Sequence, residues 1–299
     1  MNLKINEENI TTKLIVYFIR KNKTFEKELF ILMTKEMENN LISEDNMQYF
    51  ADCTYYAIPP NKNKYKLFLI LAFNKKKQKS VLCNISITCN ENKETFITVF
   101  NFLKNKYNFS PKIITSDYSK SLILSIKHIF PNIILIPCFF HFMQNNIKKL
   151  PEISSKNKTI KEYATDCLAN IRLLCFVEHE KINNFYKDIK DKYRTKFPKY
   201  FKYFDTNYMN ENARFKTIWN YNDIFVNNMD NHILFYTNNI CESMNRTLNM
   251  KFIGGCKTFF NFKNCIIDNI DIYEKNNKVY QEINGSITRA LEYYVKKIL

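Results

Sequence analysis

Apolar positions along this chain change period several times, and each change marks an element. Phe25, Leu29, Phe30 and Met33 recur at helical spacing and predict one amphipathic helix, followed by a polar connector from Glu36 to Asp45. From Gln48 the pattern turns to strands. These are Gln48 to Ile58, Tyr65 to Phe73 and Ser80 to Cys89, parted by Pro59-Pro60-Asn61 and by Asn74-Lys75-Lys76-Lys77. Connections that short make the three an antiparallel meander. Glu94 to Lys106 then sets Phe96, Val99, Phe100 and Leu103 on one helix face. Lys112-Ile113-Ile114-Thr115 returns as a strand after a crossover long enough to be parallel. Leu122 to Phe130 is a second amphipathic helix, broken by Pro131-Asn132, and Ile133 to Pro137 is another apolar strand ahead of a helix from Phe142 to Leu150.

Three antiparallel strands, helix, strand, helix, strand, helix is the order of the ribonuclease-H-like (RNase-H-like) fold. The class is therefore α/β: a mixed five-stranded sheet flanked by helices. Strand signals stop after Leu150, and Lys158 to about Phe235 is helical or irregular, rich in aromatics and Lys, with the single tryptophan, Trp219. It reads as an all-α insertion. A new helix begins at Thr237-Asn238-Asn239-Ile240, and the C-terminal part continues helical to Leu299. The expected organisation is an N-terminal helical segment (1–47), the first part of the core (48–150), the insertion (151–235), and C-terminal helices that complete the core (236–299).

Charge adds a partner class to this picture. The chain has 45 Lys+Arg against 29 Asp+Glu, a surplus of 16 positive charges, which favours a polyanion through counterion release. Nucleic acid is the first candidate. The inference is discounted because only six of the basic residues are Arg and Gly numbers three, usage that looks like AT-biased coding. Nine cysteines without a C-x-x-C pair argue against a disulfide framework and a self-contained zinc finger. No signal peptide is legible, and the longest apolar run, Leu67 to Phe73, is too short to span a bilayer. A soluble intracellular protein without a membrane role is expected.

Three carboxylates carry the candidate chemistry. Asp52 lies inside the aromatic-rich strand Phe50-Ala51-Asp52-Cys53-Thr54-Tyr55-Tyr56, where Asp is normally depleted. Either it is buried beside a cation, a metal or hydrogen-bond donors, or that strand end is exposed and the side chain solvated. Asp117 follows a buried strand, where open α/β sheets place their ligands. An Asp there is also an ordinary helix N-cap, a role open to Ser119 as well. Glu242, three residues after Asn239, fits a capping box. The apolar stripe Ile240, Met244, Leu248 and Phe252 nevertheless leaves Glu242, Asn245, Arg246 and Asn249 on the opposite helix face. In an RNase-H-like fold these three positions converge. Three carboxylates there would hold two divalent cations, Mg²⁺ or Mn²⁺, about 3.5–4 Å apart, which clamp the attacking and leaving oxygens of an in-line phosphoryl displacement.

The residues resemble the Mutator-like (MULE) transposases, a DDE-type family. The matching features are Ala51-Asp52-Cys53-Thr54, the meander, Ile113-Ile114-Thr115-Ser116-Asp117, Phe130-Pro131, Pro137-Cys138-Phe139-Phe140-His141 and Asn238-Asn239-Ile240-Cys241-Glu242-Ser243-Met244-Asn245-Arg246. The resemblance covers residues 48 to 150 and the Glu242 helix. It implies catalytic, metal-ligating roles for Asp52, Asp117 and Glu242, nicking at transposon ends, and attack of the freed 3′-hydroxyl on target DNA. It further implies a nuclear, homo-oligomeric enzyme that needs no small-molecule cofactor. Cys138 and His141 match the family's C-x-x-H element, with a structural packing role for His141 as the plainer reading. Trp219 resembles, by position only, an insertion-domain tryptophan that stacks on an unpaired base, and Arg246 could contact a phosphate. Family members usually carry an upstream zinc-binding module, and residues 1–47 show no such ligand set. End recognition is then expected from a further segment or a partner, or to be lost. The competing readings are a domesticated DNA-binding or regulatory protein that does not cut, and a generic RNase-H-like nuclease acting on RNA or damaged DNA.

Overall fold

The structure, a computed structural model, describes residues 4–11, 14–20, 28–54, 66–88, 90–177, 179–210, 237, 239–242 and 244. The chain opens with three strands, β1 (Lys4–Thr11), β2 (Leu14–Arg20) and β3 (Glu28–Thr34), then α1 (Lys35–Leu41) and β4 (Asn46–Thr54). Next come β5 (Lys66–Asn74), β6 (Lys79–Thr88), α2 (Lys93–Tyr107), β7 (Ile113–Ser116), α3 (Lys120–Ile129), β8 (Ile134–Pro137) and α4 (Phe139–Lys149). Three more α-helices follow: α5 (Lys158–Leu173), α6 (Ile182–Tyr193) and α7 (Pro198–Phe204). The α/β class expected from the sequence is the class observed. Backbone contacts divide the chain into two compact units, one of residues 1–46, 54–89 and 243–299 and one of 47–53 and 90–242.

The first unit is antiparallel. β1 pairs with β2, β2 with β3, β3 with β6, and β6 with β5. β5 and β6 are buried along nearly their whole length, which explains why Leu67 to Phe73 reads as a continuous apolar run rather than an alternating one. Between the pairs Ile70↔Asn84 and Leu71↔Leu82 the register slips, leaving Cys83 as the extra residue of a bulge. The helix expected on Phe25, Leu29, Phe30 and Met33 is corrected here: residues 28–34 form β3, while Phe25 lies outside the described residues. Leu29 to Met33 is five consecutive apolar residues, and a run that short fits a strand or a helix equally well until a partner decides. That partner is β6, whose Ile85 to Thr88 pair with Leu32 to Leu29. The helix falls one step later, as α1, in the stretch that looked like a polar connector. Thr34 caps it by accepting the Met37 N–H at 3.0 Å, and buried Asn40 donates to the Leu82 carbonyl at 3.1 Å. With β1–β3 included, the described residues hold eight strands rather than the five expected.

The second unit is built on parallel strands. β4 runs parallel to β7, with Tyr49↔Ile114, Phe50↔Thr115 and Ala51↔Ser116 in register, and β7 runs parallel to β8. Gln48 reaches across to donate to the Thr115 hydroxyl, satisfying two buried polar groups at once. The face predicted for α2 is the face buried: Phe96, Val99, Phe100 and Leu103, together with Phe102. Edge-to-face ring contacts link Tyr49 to Phe109 at 5.0 Å, Phe109 to Phe130 at 5.7 Å and Phe100 to Phe130 at 5.8 Å, so one aromatic chain ties β4 to α2 and α3. Asn108 ends α2 in the left-handed region at φ 57°, a conformation Asn tolerates.

Helices α5 to α7 follow α4 and share a core with it. Phe142 of α4 packs edge-on against Tyr208 at 5.3 Å and Phe204 at 6.4 Å. Buried Tyr200 donates to Asn146 Oδ1 at 2.9 Å, while Asn146 donates back to the Phe142 carbonyl. Asp205 gathers the Tyr186 hydroxyl at 2.7 Å and Lys190 at 2.9 Å. Residues 151–177 and 179–210 are mainly helical, in α5 to α7 and short single-turn helices beside them. Tyr200→Phe strands the Asn146 oxygen inside this core, and a urea melt is expected to show a loss of about 1–2 kcal/mol.

Candidate active site

The parallel pairing of β4 and β7 fixes the first two carboxylates. Register runs through Ala51↔Ser116, so the next residues along the two strands are Asp52 and Asp117. Neighbouring strands lie about 4.8 Å apart. Asp52 is only 7% exposed, which rules out the solvated strand end and leaves a buried carboxylate that needs compensation. Asp117 sits where β7 ends. Its Oδ1 accepts the Ser119 N–H at 3.0 Å, and Ser119 Oγ in turn caps α3 by accepting the Leu122 N–H at 3.5 Å. Ser119, not Asp117, is the N-cap. Helix start and carboxylate orientation are divided between two residues, and Asp117 is turned by its own loop rather than spent on the helix.

A fourth carboxylate, Glu91, belongs to this corner. The Cys53 thiol hydrogen-bonds to it, and Cys53 senses the charges of Glu91, Asp52 and Asp117 together; burial first, and these carboxylates next, push the thiol far above its ordinary range. Burial chiefly, and then the Glu91 charge, raise the Asp117 pKa to about 6, against the opposing pull of the Ser119 N–H. Sequence reasoning missed Glu91, an ordinary polar residue ahead of a helix. Asn92 is the N-cap of α2, accepting the Thr95 N–H at 2.8 Å, which leaves Glu91 as the last residue outside the helix.

Glu242 is placed differently. Residues 239–242 are helical, with Ile240, Cys241 and Met244 buried, so the first part of the expected apolar stripe packs as read. Leu248 and Phe252 lie outside the described residues, as do Asn245, Asn249 and Arg246. Glu242 itself is one-third exposed and stands 3.8 Å, Oε1 to Nε2, from His141 in the first turn of α4. Burial lowers the His141 pKa, Lys148 adds to that, and Glu242 pulls the other way; the net direction is down, toward a neutral imidazole. His141 therefore has a carboxylate neighbour as well as its edge-on contact with Phe140 at 5.9 Å. Cys138 is buried at the N-cap of α4, its side chain making no capping bond, and its N–H is held by the Ser116 carbonyl at 2.7 Å. Trp219 lies outside the described residues.

The donors fit a hard divalent cation by chemistry, since Asp52 and Asp117, with Glu91 nearby, offer carboxylate oxygens. By distance they are not drawn together: among the described residues no three His, Cys, Asp or Glu side chains stand as a ready metal-ligand set. A shared ion would need these side chains to turn toward one another.

Over 128 residues, 42% of the chain, the sequence is 26% identical to the transposase for insertion sequence element IS256 in transposon Tn4001 of Staphylococcus aureus, and equally to that of Enterococcus faecalis (strain ATCC 700802 / V583). The matched segment spans 33% of the length of those curated relatives. Residues 49–145 match the family model of the MULE transposase domain. The matched stretch contains Asp52, Glu91, Asp117, Cys138 and His141 and ends before Glu242. In this stretch the chain is thus similar to MULE transposase domains.

Proposed function

We propose that this chain is the catalytic core of a DNA transposase, with Asp52, Asp117 and Glu242 as its acidic ligands for divalent metal, two Mg²⁺ or Mn²⁺ ions. The observation that supports this most is the β4–β7 register, which carries two aspartates side by side out of the parallel strands, inside the MULE match. Divalent ions bound by such carboxylates supply Lewis-acid stabilisation to the oxygens of a phosphoryl displacement. The chain's own residues prepare for that. The Ser119 N–H orients Asp117, the strand register fixes Asp52, and His141 stands 3.8 Å from Glu242.

The reaction would be in-line attack of water on a DNA phosphorus at a transposon end. The new P–O bond replaces the one to the 3′-oxygen, which leaves with a proton as a free 3′-hydroxyl. That hydroxyl then attacks a target phosphorus and expels a second 3′-oxygen. One phosphodiester is made for each one broken in the joining step, so no nucleotide cofactor is required. DNA ends and target are the partners, in a homo-oligomeric assembly that holds two ends at once. No described helix is long and apolar enough to cross a membrane. The matched relatives are bacterial, so the comparisons give a nuclear location no support.

The test is nicking of supercoiled plasmid by the purified chain with Mg²⁺ or Mn²⁺, against the same reaction in chelator. Open circles should form only with the dication; equal nicking in chelator would contradict the reading. Because 45 basic residues face 29 acidic ones, duplex affinity is also expected to drop at least about tenfold between about 50 and 200 mM salt in a fluorescence-anisotropy titration.

A further inference from the structure

We propose that the start of α5 and the α6–α7 junction form a DNA-binding surface, with Lys196 and Lys199 on phosphates and Ile160 and Tyr163 against the sugars and bases between them. The inference rests on the transposase reading above and gives its DNA partner a contact built from none of the candidate carboxylates.

The pattern begins in α5. Its buried residues, Ala164, Cys167, Leu168 and Ile171, form one helical stripe. Ile160 and Tyr163 continue that stripe toward the helix start, yet they stay 41% and 39% exposed. Two large apolar side chains one turn apart, rimmed by polar groups, have the make-up of an interaction patch. Across from them the α6–α7 junction is fixed. The N–H groups of Lys196 and Phe197 both donate to the Tyr193 carbonyl at 3.0 Å, and Phe197 is buried. Lys196 Nζ then stands 3.8 Å from the centroid of the Tyr163 ring. One helical turn earlier, Lys192 pairs with Asp166 at 3.0 Å, and the Tyr193 hydroxyl donates to the same carboxylate. The two lysines therefore differ. Lys192 is neutralised by a carboxylate, whereas Lys196 lies on a ring, which orients the cation without cancelling its charge.

Charge on this surface has one sign. From Lys156 to Lys161 the sequence holds three basic residues and no acidic one, and from Lys192 to Lys202 five and none. Asp166 pairs with Lys192, and Glu162 lies 4.0 Å from Lys158. Lys161, Arg194, Lys196 and Lys199 are exposed beyond those pairs. A second copy of the chain docking on the same patch would set these cations against one another. A polyanion gains at each of them through counterion release, and its sugars and base faces give Ile160 and Tyr163 apolar partners.

The experiment is a fluorescence-anisotropy titration of a labelled duplex with the full chain, in chelator so that no metal at the carboxylates contributes. Lys196→Glu/Lys199→Glu reverses two charges of the surface. Lys75→Glu/Lys76→Glu makes the same change of net charge on the exposed turn between β5 and β6. The first pair should weaken binding at least about tenfold and lower the slope of log K against log salt by about 2, while the second should change affinity by less than about threefold. Tyr163→Ser should weaken binding with the slope unchanged. Circular dichroism checks each fold, and Lys196→Ala/Lys199→Ala replaces the glutamate pair if that pair does not fold, with the same direction expected. Equal losses from the two glutamate pairs would reduce the effect to net charge and overturn the surface. Native affinity in the Lys196–Lys199 variant or in Tyr163→Ser overturns it as well, and in each of these cases the transposase reading stands. A native chain that binds no duplex overturns both.

Discussion

Asp52→Asn, Asp117→Asn and Glu242→Gln are each expected to cut metal-dependent nicking of supercoiled DNA by at least about 10³-fold, with duplex binding retained. The size follows from what is removed. Each substitution is close to isosteric and deletes one negative charge, so packing and the basic surface persist while a charge that opposes the dication is lost. Asn at position 117 still offers Oδ1 to the Ser119 N–H, and the loop that turns the side chain has no reason to move. Glu242 gives the sharpest comparison. It stands 3.8 Å from His141 and outside the MULE match, so its variant shows whether the helix carrying it belongs to the chemistry. A Glu242→Gln protein that nicks normally, next to inert Asp52→Asn and Asp117→Asn proteins, would leave the third ligand to be sought elsewhere. Loss of DNA binding in step with cleavage would mean that the aspartates support the fold or the interface rather than a metal.

The same Asp117→Asn change should make the metal-free protein more stable at pH 8. Burial and Glu91 raise the Asp117 pKa from 3.8 to about 6. A folded-state pKa above the unfolded value means that the native protein binds the proton more tightly. The stability this lends is complete below about pH 4, and it is lost as pH rises through about 6, leaving an ionised carboxylate that opposes folding. The full difference corresponds to about 3 kcal/mol, and relaxation around a half-buried group lowers this to about 1–3 kcal/mol. Denaturant melts in chelator should therefore show Asp117→Asn more stable than the native chain at pH 8 and equal to it near pH 4. Adding Mn²⁺ should stabilise the native protein and not the variant. A variant less stable than native at pH 8 would show the charge to be structurally favourable, and the argument for a cation relieving it would fail. Active sites commonly carry such a trade of stability for function.

The core of the second unit was legible because its periods are unambiguous. Phe96, Val99, Phe100 and Leu103 can be on one face only in a helix, and Ile113 to Thr115 and Ile133 to Pro137 are too short and too β-branched to be anything but buried strands. Tertiary context overrode local pattern in the first forty-seven residues. Leu29 to Met33 carries no period of its own, and the pairing with Ile85 to Thr88 that makes it β3 joins segments more than fifty residues apart. At the site, Asp52 stood out by breaking a local rule, an acidic residue in an apolar strand, and burial showed the anomaly to be real. Asp117 was legible as a turn residue, but its sequence could not say which of Asp117 and Ser119 capped the helix; the backbone gave Ser119 the cap and left Asp117 its own turn. Glu91 breaks no rule. A glutamate ahead of a helix on a polar loop is ordinary, and only the fold, by bringing Cys53 of β4 against it, gives that side chain a meaning. Position 242 was read from helix periodicity, which places a side chain on a face but does not say what faces it; the neighbour proved to be His141.

The central claim is that Asp52 and Asp117, with Glu242, share divalent metal. A crystal structure of the chain with Mn²⁺ and a DNA end, with Mn²⁺ located by its anomalous scattering, tests it most directly. The account predicts an anomalous peak bonded at about 2.0–2.3 Å to carboxylate oxygens of both Asp52 and Asp117, with Glu242 turned in to close the site. A peak bound to other residues, or Glu242 more than about 10 Å from the ion with the DNA in place, would contradict two-metal chemistry at this site.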